Sequence, residues 1–302
     1  MTESSDQIKS QPRVIVGLGE VLWDKLPGGM QLGGAPGNFA FMATQLGDHG
    51  VIASRVGSDS LGGRALEELQ RRGQATSHIQ IDNARPTGIA EVQVDVHGQP
   101  AYSITENVAW DYLEWTTQWE ELAAGVDAVC FGSLAQRSPA SRAAIQRFLR
   151  STPLDALRIF DVNLRQPFYS ADVLSESLEL ATVVKLSHEE LPQVAEMLKL
   201  GGRGDNACAH RLIQVFDLEM VCVTRGARGS LIVSPTDLIE HPGVPIAVAD
   251  TVGAGDAFTA ALAHYHLRRA PLDQISEAAN HLGAWVATQI GATPTLGRED
   301  RA

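Results

Sequence analysis

The sequence predicts an α/β fold in three layers: a mostly parallel central sheet with helices on both faces, and a small antiparallel β lid. Three observations carry this. Short, continuous apolar runs recur along the chain, as expected for strands covered on both faces. Longer segments with helical periodicity separate them, which favours crossover connections and a parallel sheet. Two segments break the rhythm, one rich in glycine and one alternating strictly with period two.

Taken in order, residues 1–13 (MTESSDQIKSQPR) lack the basic-then-apolar pattern of a leader and read as a disordered tail, so that 14–302 form the folded unit. The apolar runs are Val14–Val16, Val51–Val56, Ala128–Phe131, Leu157–Val162, Val183–Leu186, Met220–Thr224 and Ser230–Val233. Helical patterns span Asn38–Leu46, Gly62–Arg72, Pro139–Leu149, Leu174–Leu180 and Asp273–Gln289. The lid comprises about residues 22–34 and 87–104. In it Ile89 to Val96 alternates, His97–Gly98 supplies a hairpin turn, and the strand resumes at Ala101–Ile104. Gly201–Ala209 (GGRGDNACA) reads as an exposed loop between helices. Ligands in such a sheet belong at the carboxyl ends of the strands.

The composition excludes several classes of function. Of 302 residues, 44% are hydrophobic and 20% charged, an ordinary balance for a globular enzyme. The formal net charge of -12, with no basic cluster, argues against nucleic-acid and anionic-membrane partners. No stretch reaches the roughly 18 apolar residues of a membrane span. The three cysteines, Cys130, Cys208 and Cys222, have no metal-ligand spacing, and the first and last sit in apolar runs. They read as reduced thiols of a cytoplasmic protein. His264 and His266 are two apart, so they cannot share one helix face, and no histidine is assigned a catalytic role. Trp110, Trp115 and Trp119 cluster after the lid and read as core aromatics, although the Glu106–Asp111 stretch could approach a bound substrate.

The chemistry concentrates in Ala249–Leu267, ADTVGAGDAFTAALAHYHL. Gly253, Ala254 and Gly255 let backbone approach a ligand closely, and Phe258, Ala261, Leu262 and Tyr265 give the following helix an apolar face. A glycine turn opening a helix offers free N–H groups and a positive dipole end to an oxyanion. Asp256 stands at that helix start, either as a cap or as a reactive carboxylate. Upstream, GGAPGNFAFMATQLG at Gly33–Gly47 combines a tight turn with Asn38, which can cap a helix, bind a hydroxyl, or do both.

DTVGAGDAF closely resembles the C-terminal signature of the PfkB, ribokinase-like sugar kinases, and the Gly33–Gly47 stretch resembles their N-terminal signature. Order and separation also agree, and the resemblance covers residues 14–297. It implies a ribokinase-like fold and ATP-dependent phosphorylation of a sugar hydroxyl. Asp256 would then be the catalytic base, with the amides of Gly253, Ala254, Gly255 and Asp256 holding the transferring phosphoryl group. Asp24, Gly34 and Asn38 match the family's sugar-binding positions, and Asp161-Val-Asn-Leu-Arg165 matches a stretch that lines the cleft with Asn163 and Arg165. Lys185-Leu-Ser-His-Glu-Glu190 resembles the segment whose glutamate orders Mg²⁺ and its waters. Glu190 fits, while Ser187 stands where the family has asparagine. Lys185, Ser187, Thr224, Gly226, Gly229 and Asn280 are the implied nucleotide-side residues. Asp250, Val252, Ala287, Ile290, Gly291 and Thr295 are the implied site of a K⁺ ion.

Among relatives, GEVLWDKLP, KLSHEE and AWDY look most like bacterial fructokinases, which implies D-fructose as acceptor and fructose 6-phosphate as product. Kinases of 2-keto-3-deoxygluconate or ribose are the alternatives within the family. A catalytically silent sugar-binding relative is the alternative from another class, and the intact GAGD opposes it. A dinucleotide-binding dehydrogenase is disfavoured because Gly17-Leu-Gly19 is too short a fingerprint. The lid implies a homodimer in which two ribbons pair, or a lid folded onto its own domain.

Overall fold

A computed structural model describes residues 12–26, 28–94, 100–165 and 167–297. Most of the tail expected at 1–13, together with the His97–Gly98 turn and Val96, lies outside the described residues. In chain order come β1 (Val14–Leu18), β2 (Leu22–Leu26), β3 (Gly29–Gly33), α1 (Ala35–Gln45), β4 (His49–Gly57), α2 (Ser60–Arg71) and β5 (Ile79–Asp82). Then follow β6 (Gly88–Val94), β7 (Pro100–Ile104), α3 (Thr117–Ala124), β8 (Ala128–Gly132), α4 (Pro139–Arg150), β9 (Leu157–Asp161), α5 (Ala171–Leu180) and β10 (Val183–Ser187). The C-terminal part holds α6 (Glu190–Met197), α7 (Asp205–Phe216), β11 (Met220–Thr224), β12 (Ser230–Val233), β13 (Leu238–His241), α8 (Ala254–His266) and α9 (Leu272–Ala287).

Nine strands form the main sheet in the order β13-β12-β11-β10-β9-β8-β1-β4-β5. All pairs from β11 to β5 are parallel, and β12 and β13 add an antiparallel edge. Strand side chains alternate between two cores, which is why the runs are apolar throughout. Val16, Leu18, Val129, Phe131 and Phe160 face the layer that buries Phe148, Leu178 and Leu212. Ile15, Ala128, Cys130 and Ile159 face the layer of Phe39, Phe258 and Leu282. Burial pushes the thiols of Cys130 and Cys222 up, so both stay neutral. β1 is the switch point, since the chain leaves it toward β4 and returns on its other side as β8. A crevice at the carboxyl ends follows from that topology.

The small sheet has the order β3-β2-β6-β7: two antiparallel hairpins joined by a parallel β2–β6 pair. It folds back onto its own chain. Leu22, Ala90 and Ile104 enter one core, and Trp23 and Leu32 pack with Ile52, Val56 and Leu69. Trp110 and Trp119 are fully buried, the latter edge-on to Phe148 at 5.9 Å, so they are core aromatics. The expected Gly201–Ala209 loop is shorter than its composition suggests. α7 begins at Asp205, because Cys208, Ala209, Leu212 and Ile213 form a helical stripe that the core takes up. Asp59 caps α2 by accepting the Gly62 N–H at 2.8 Å, a contact typically worth about 1 kcal/mol.

Candidate active site

α8 opens at the carboxyl edge of the sheet. Its N-cap is Gly253 in the left-handed region (φ 80°), and no side chain caps it. Asp256 is therefore no cap. It lies in the first turn, and its Oδ2 accepts a hydrogen bond of 2.8 Å from Nδ2 of Asn38. Asn38 does not cap α1 either, since Gly34 holds that place (φ 112°) and accepts the Asn38 N–H at 3.0 Å. Both signatures thus spend their polar side chains on each other.

Burial raises the Asp256 carboxyl to about 7. Asp161 adds to the rise, while Asn38, Lys185 and Arg165 oppose it. Asp24, on β2, is raised by burial to about 6, with Arg165 pulling the other way. The exposed Arg165 donates to the Leu164 carbonyl at 3.1 Å, and its field reaches both carboxyls. Asn163 adopts φ 39° at the end of β9 and lines a recess of about 10 Å³ with Asp161, Cys130 and Asp256.

Lys185 is placed beneath the helix start rather than on an open nucleotide surface. Its Nζ lies 3.1 Å from each oxygen of Asp161, and a Cβ built on Gly255 would sit 2.9 Å from that Nζ. Thr259 donates to the same Asp161 carboxylate at 3.2 Å. Burial disfavours the ammonium, but Asp161, with Glu190 and Asp256 farther off, more than offsets this and raises its proton affinity. Above this ion pair stand the N–H groups that open α8, of which Ala254 donates to the Thr251 carbonyl at 3.3 Å, and a helix start of this kind suits an incoming phosphate.

Ser187 and Glu190 form a reciprocal capping box at α6. Ser187 Oγ accepts the Glu190 N–H at 3.2 Å, and Glu190 Oε2 accepts the Ser187 N–H at 2.7 Å. The other oxygen, Oε1, accepts the Leu164 N–H at 2.7 Å and so fastens the loop that carries Asn163 and Arg165. A Mg²⁺ ion held here would meet a carboxylate whose two oxygens already each accept an N–H. Glu190 would then reach the ion through its remaining lone pairs or through water. The S-x-x-E spacing was a readable signal for this role.

The remaining candidates separate. Gly226 and Gly229 close a tight turn after Thr224, with Arg225 N to Gly229 O at 2.7 Å. Asn280 is buried and spends its amide on Ser230 Oγ and Ser276 O, both at 2.8 Å, so its NH₂ is committed to packing α9 on β12. Asp250 accepts from Val252 N (3.0 Å) and Gly291 N (3.1 Å), and the Ala287 carbonyl accepts from Ala249 N and Asp250 N. Ile290 and Thr295 are exposed, with no hydrogen bond to that cluster among the described residues.

Glu20, two residues past β1, was not singled out by sequence. It is buried, and its carboxyl is raised to about 7 by burial, with Asp256 adding to the rise and Arg165 opposing it. A cavity of about 680 Å³ lies elsewhere, between Arg137, Tyr112, Phe168 and Arg142, and touches none of Asp24, Asn38 and Asp256. Asp111 lines it while held by Arg137 at 2.7 and 2.9 Å, so the Glu106–Asp111 stretch faces this cavity and not Asp256. His264 pairs with Asp48 at 2.6 Å near the C-terminal end of α8, away from the site at its start. His241, Glu277 and His281 bring possible ligand atoms within 4.8 Å of one another. His241 Nδ1 accepts the Gly243 N–H, however, so its Nε2 carries the proton toward Glu277, and the trio is a hydrogen-bonded bridge.

The pfkB family carbohydrate kinase model matches residues 27–297. The chain belongs to this family. A fructokinase of Salmonella typhimurium is 30% identical over 76% of this chain and 75% of its own. An uncharacterised sugar kinase of Pyrococcus horikoshii, solved in complex with ATP, superposes with a TM-score of 0.80 at 26% identity, covering 95% of this chain and 96% of that one. A Vibrio cholerae fructokinase, solved with fructose, ADP and calcium, superposes with a TM-score of 0.78 at 25% identity, covering 94% and 95%. The pfkB kinases are phosphotransferases with an alcohol group as acceptor, and this chain is a sugar kinase of that family. Among the described residues no helix is long and apolar enough to cross a membrane.

Proposed function

We propose that this kinase transfers the γ-phosphoryl group of ATP to the 6-hydroxyl of D-fructose, with Asp256 as general base. The observation that carries the proposal is a buried carboxyl at a free helix N-terminus, raised to about 7 and oriented by Asn38 at 2.8 Å. A base whose proton affinity lies near the working pH is the most effective one. Asp256 takes the hydroxyl proton as the sugar oxygen bonds to phosphorus and the bond to the ADP oxygen breaks. The N–H groups of the Gly253–Asp256 turn face the charge that spreads over the phosphoryl oxygens, and the Lys185–Asp161 ion pair lies directly below them. Asp24, Gly34, Asn38, Asn163 and Arg165 orient the sugar. Thr224, Gly226 and Gly229 receive the nucleotide.

Mg²⁺, when bound, would neutralise phosphate charge, with Glu190 the carboxylate that would hold it or its waters. K⁺ belongs to the proposal at Asp250 and the carbonyls about it, and exchange for a bulky organic cation at constant ionic strength tests it. The β6–β7 ribbon closes over the sugar, and pairing of two ribbons in a homodimer is tested by sedimentation at micromolar concentration. Fructose is supported by the fructokinases among the similar proteins. ADP release over a panel of fructose, ribose, 2-keto-3-deoxygluconate and glucose is the deciding assay, with highest kcat/KM expected on fructose. A clear preference for another sugar would replace the acceptor and leave the kinase standing.

A further inference from the structure

Arg137 ends the turn Leu134–Arg137, between the carboxyl end of β8 and the start of α4. Its side chain is 7% exposed, and its contacts divide between two segments. One is the base of the β6–β7 ribbon. Nη2 donates to the Thr105 carbonyl at 2.6 Å, and the Thr105 N–H in turn donates to the Ile89 carbonyl at 3.0 Å. Nε and Nη2 also hold the two oxygens of Asp111 at 2.7 and 2.9 Å. The guanidinium lies 4.1 Å from the ring centroid of Trp110, and a Cβ built on Gly88 would meet Nε1 of that indole at 2.2 Å. Ala109 donates to the Pro86 carbonyl at 2.8 Å, so both ends of the ribbon rest on this unit.

The other segment is the loop after β9. The ring centroid of Phe168 is 4.5 Å from the same guanidinium, and the Phe168 N–H donates to the Arg165 carbonyl at 2.7 Å. Ser133, just before the turn, donates from Oγ to the Asn163 carbonyl at 3.4 Å. The remaining nitrogen of Arg137, Nη1, is buried with no hydrogen-bond partner among the described residues, a cost that the ring faces offset only in part. A buried ion pair with an unmet donor adds little net stability. What it secures is one geometry, because a planar fork meets Asp111, Thr105 and the two rings in a single arrangement.

We propose that Arg137 is a positioning residue that fastens the base of the ribbon to the Asn163–Arg165 loop, so that the two close over the sugar as one body. The inference rests on the reading of ribbon and loop as the sugar side of the site. The cavity that Arg137 lines touches none of Asp24, Asn38 and Asp256, so its effect on the sugar runs through the segments it holds.

The test is steady-state kinetics of wild type, Arg137→Lys and Arg165→Ala with each substrate varied in turn, using D-fructose or the panel sugar that replaces it. Lysine keeps the positive charge but neither the fork nor the flat face. Arg137→Lys should raise the sugar KM about 10- to 100-fold, the range expected when a binding group is displaced by an ångström, and leave the ATP KM nearly unchanged. Hydrogen exchange adds a readout that a general loosening of the fold does not mimic. Saturating sugar should protect the ribbon base about Gly88 and the loop about Phe168 together in wild type, and only the loop in Arg137→Lys. Equal rises in both KM values, or protection that stays joint in Arg137→Lys, would overturn the proposal. If Arg137→Lys does not fold, Phe168→Leu takes its place, since it removes one ring and leaves the Asp111 pair whole; an unchanged sugar KM there would overturn it instead. Arg165→Ala separates the two readings. An unchanged sugar KM in that variant removes the sugar-side reading and the fastening with it, whereas a raised one beside an unaffected Arg137→Lys removes the fastening alone.

Discussion

Asn38 and Asp256 lie 218 positions apart in the chain, yet the amide of the first donates to the carboxylate of the second across 2.8 Å. α1 and α8 pack side by side on one face of the sheet, and both begin at its carboxyl edge. The contact aims the free oxygen of Asp256 and opposes the rise that burial imposes on it.

Asp256→Asn should keep the fold and lose at least about 100-fold in kcat, the lower range for a general base. Asn38→Ala should lower kcat and raise the sugar KM while leaving the ATP KM nearly unchanged. Steady-state kinetics with each substrate varied in turn checks both. Retention of more than about a tenth of kcat by Asp256→Asn would contradict the assignment.

The proton affinity of Asp256 also predicts a pH dependence. A base must be ionised, so kcat/KM should rise with pH through about 7. The linkage to stability has the opposite sense. A carboxyl raised in the fold stabilises it below the unfolded value, 3.8, and that contribution is lost as pH climbs to about 7. Asp256→Asn should therefore gain on wild type across this window, by about 1.4 kcal/mol per unit of raised pKa at most. Denaturant midpoints at several pH values measure the gap, and a gap independent of pH would contradict the shift.

Gly253→Ala tests the helix start. The new Cβ would lie 2.3 Å from the Ala292 carbonyl, and φ is 80°, where alanine is strained. Two rigid backbones must separate, so activity should fall sharply with a stability loss of about 1–3 kcal/mol. Thermal unfolding and kcat together check this, and a stable, active variant would show that the turn is not rigid.

The capping box gives a separate prediction. Ser187→Ala removes one side-chain contact and should cost about 1 kcal/mol of stability. Glu190→Gln weakens the hold on Leu164 as well, so it should raise the sugar KM through the Asn163–Arg165 loop. Comparison with Mg²⁺ titration separates the roles. If only the Mg²⁺ requirement changes in Glu190→Gln, the loop contact has no functional weight.

The sequence by itself determined the layers and the residues at the helix start. A strand buried on both faces must be apolar throughout, and a glycine turn before a helix leaves free N–H groups wherever it occurs, so both are local signals. Asp256 and Asn38 were legible for that reason, whereas Asp24 was named only through the family resemblance. What Glu20, Lys185, Glu190 and Asn280 do was decided only by the tertiary structure. Lys185 is written as a surface-type residue in the chain and becomes a buried counter-ion because β9 and β10 bring Asp161 beside it. Asn280 looks free in a helix and is consumed by Ser230 on a strand. Glu20 gains its raised proton affinity from burial and from a neighbour at Asp256. Solvent exclusion and the sum of distant charges set such properties, and neither exists until the sheet has brought remote segments together.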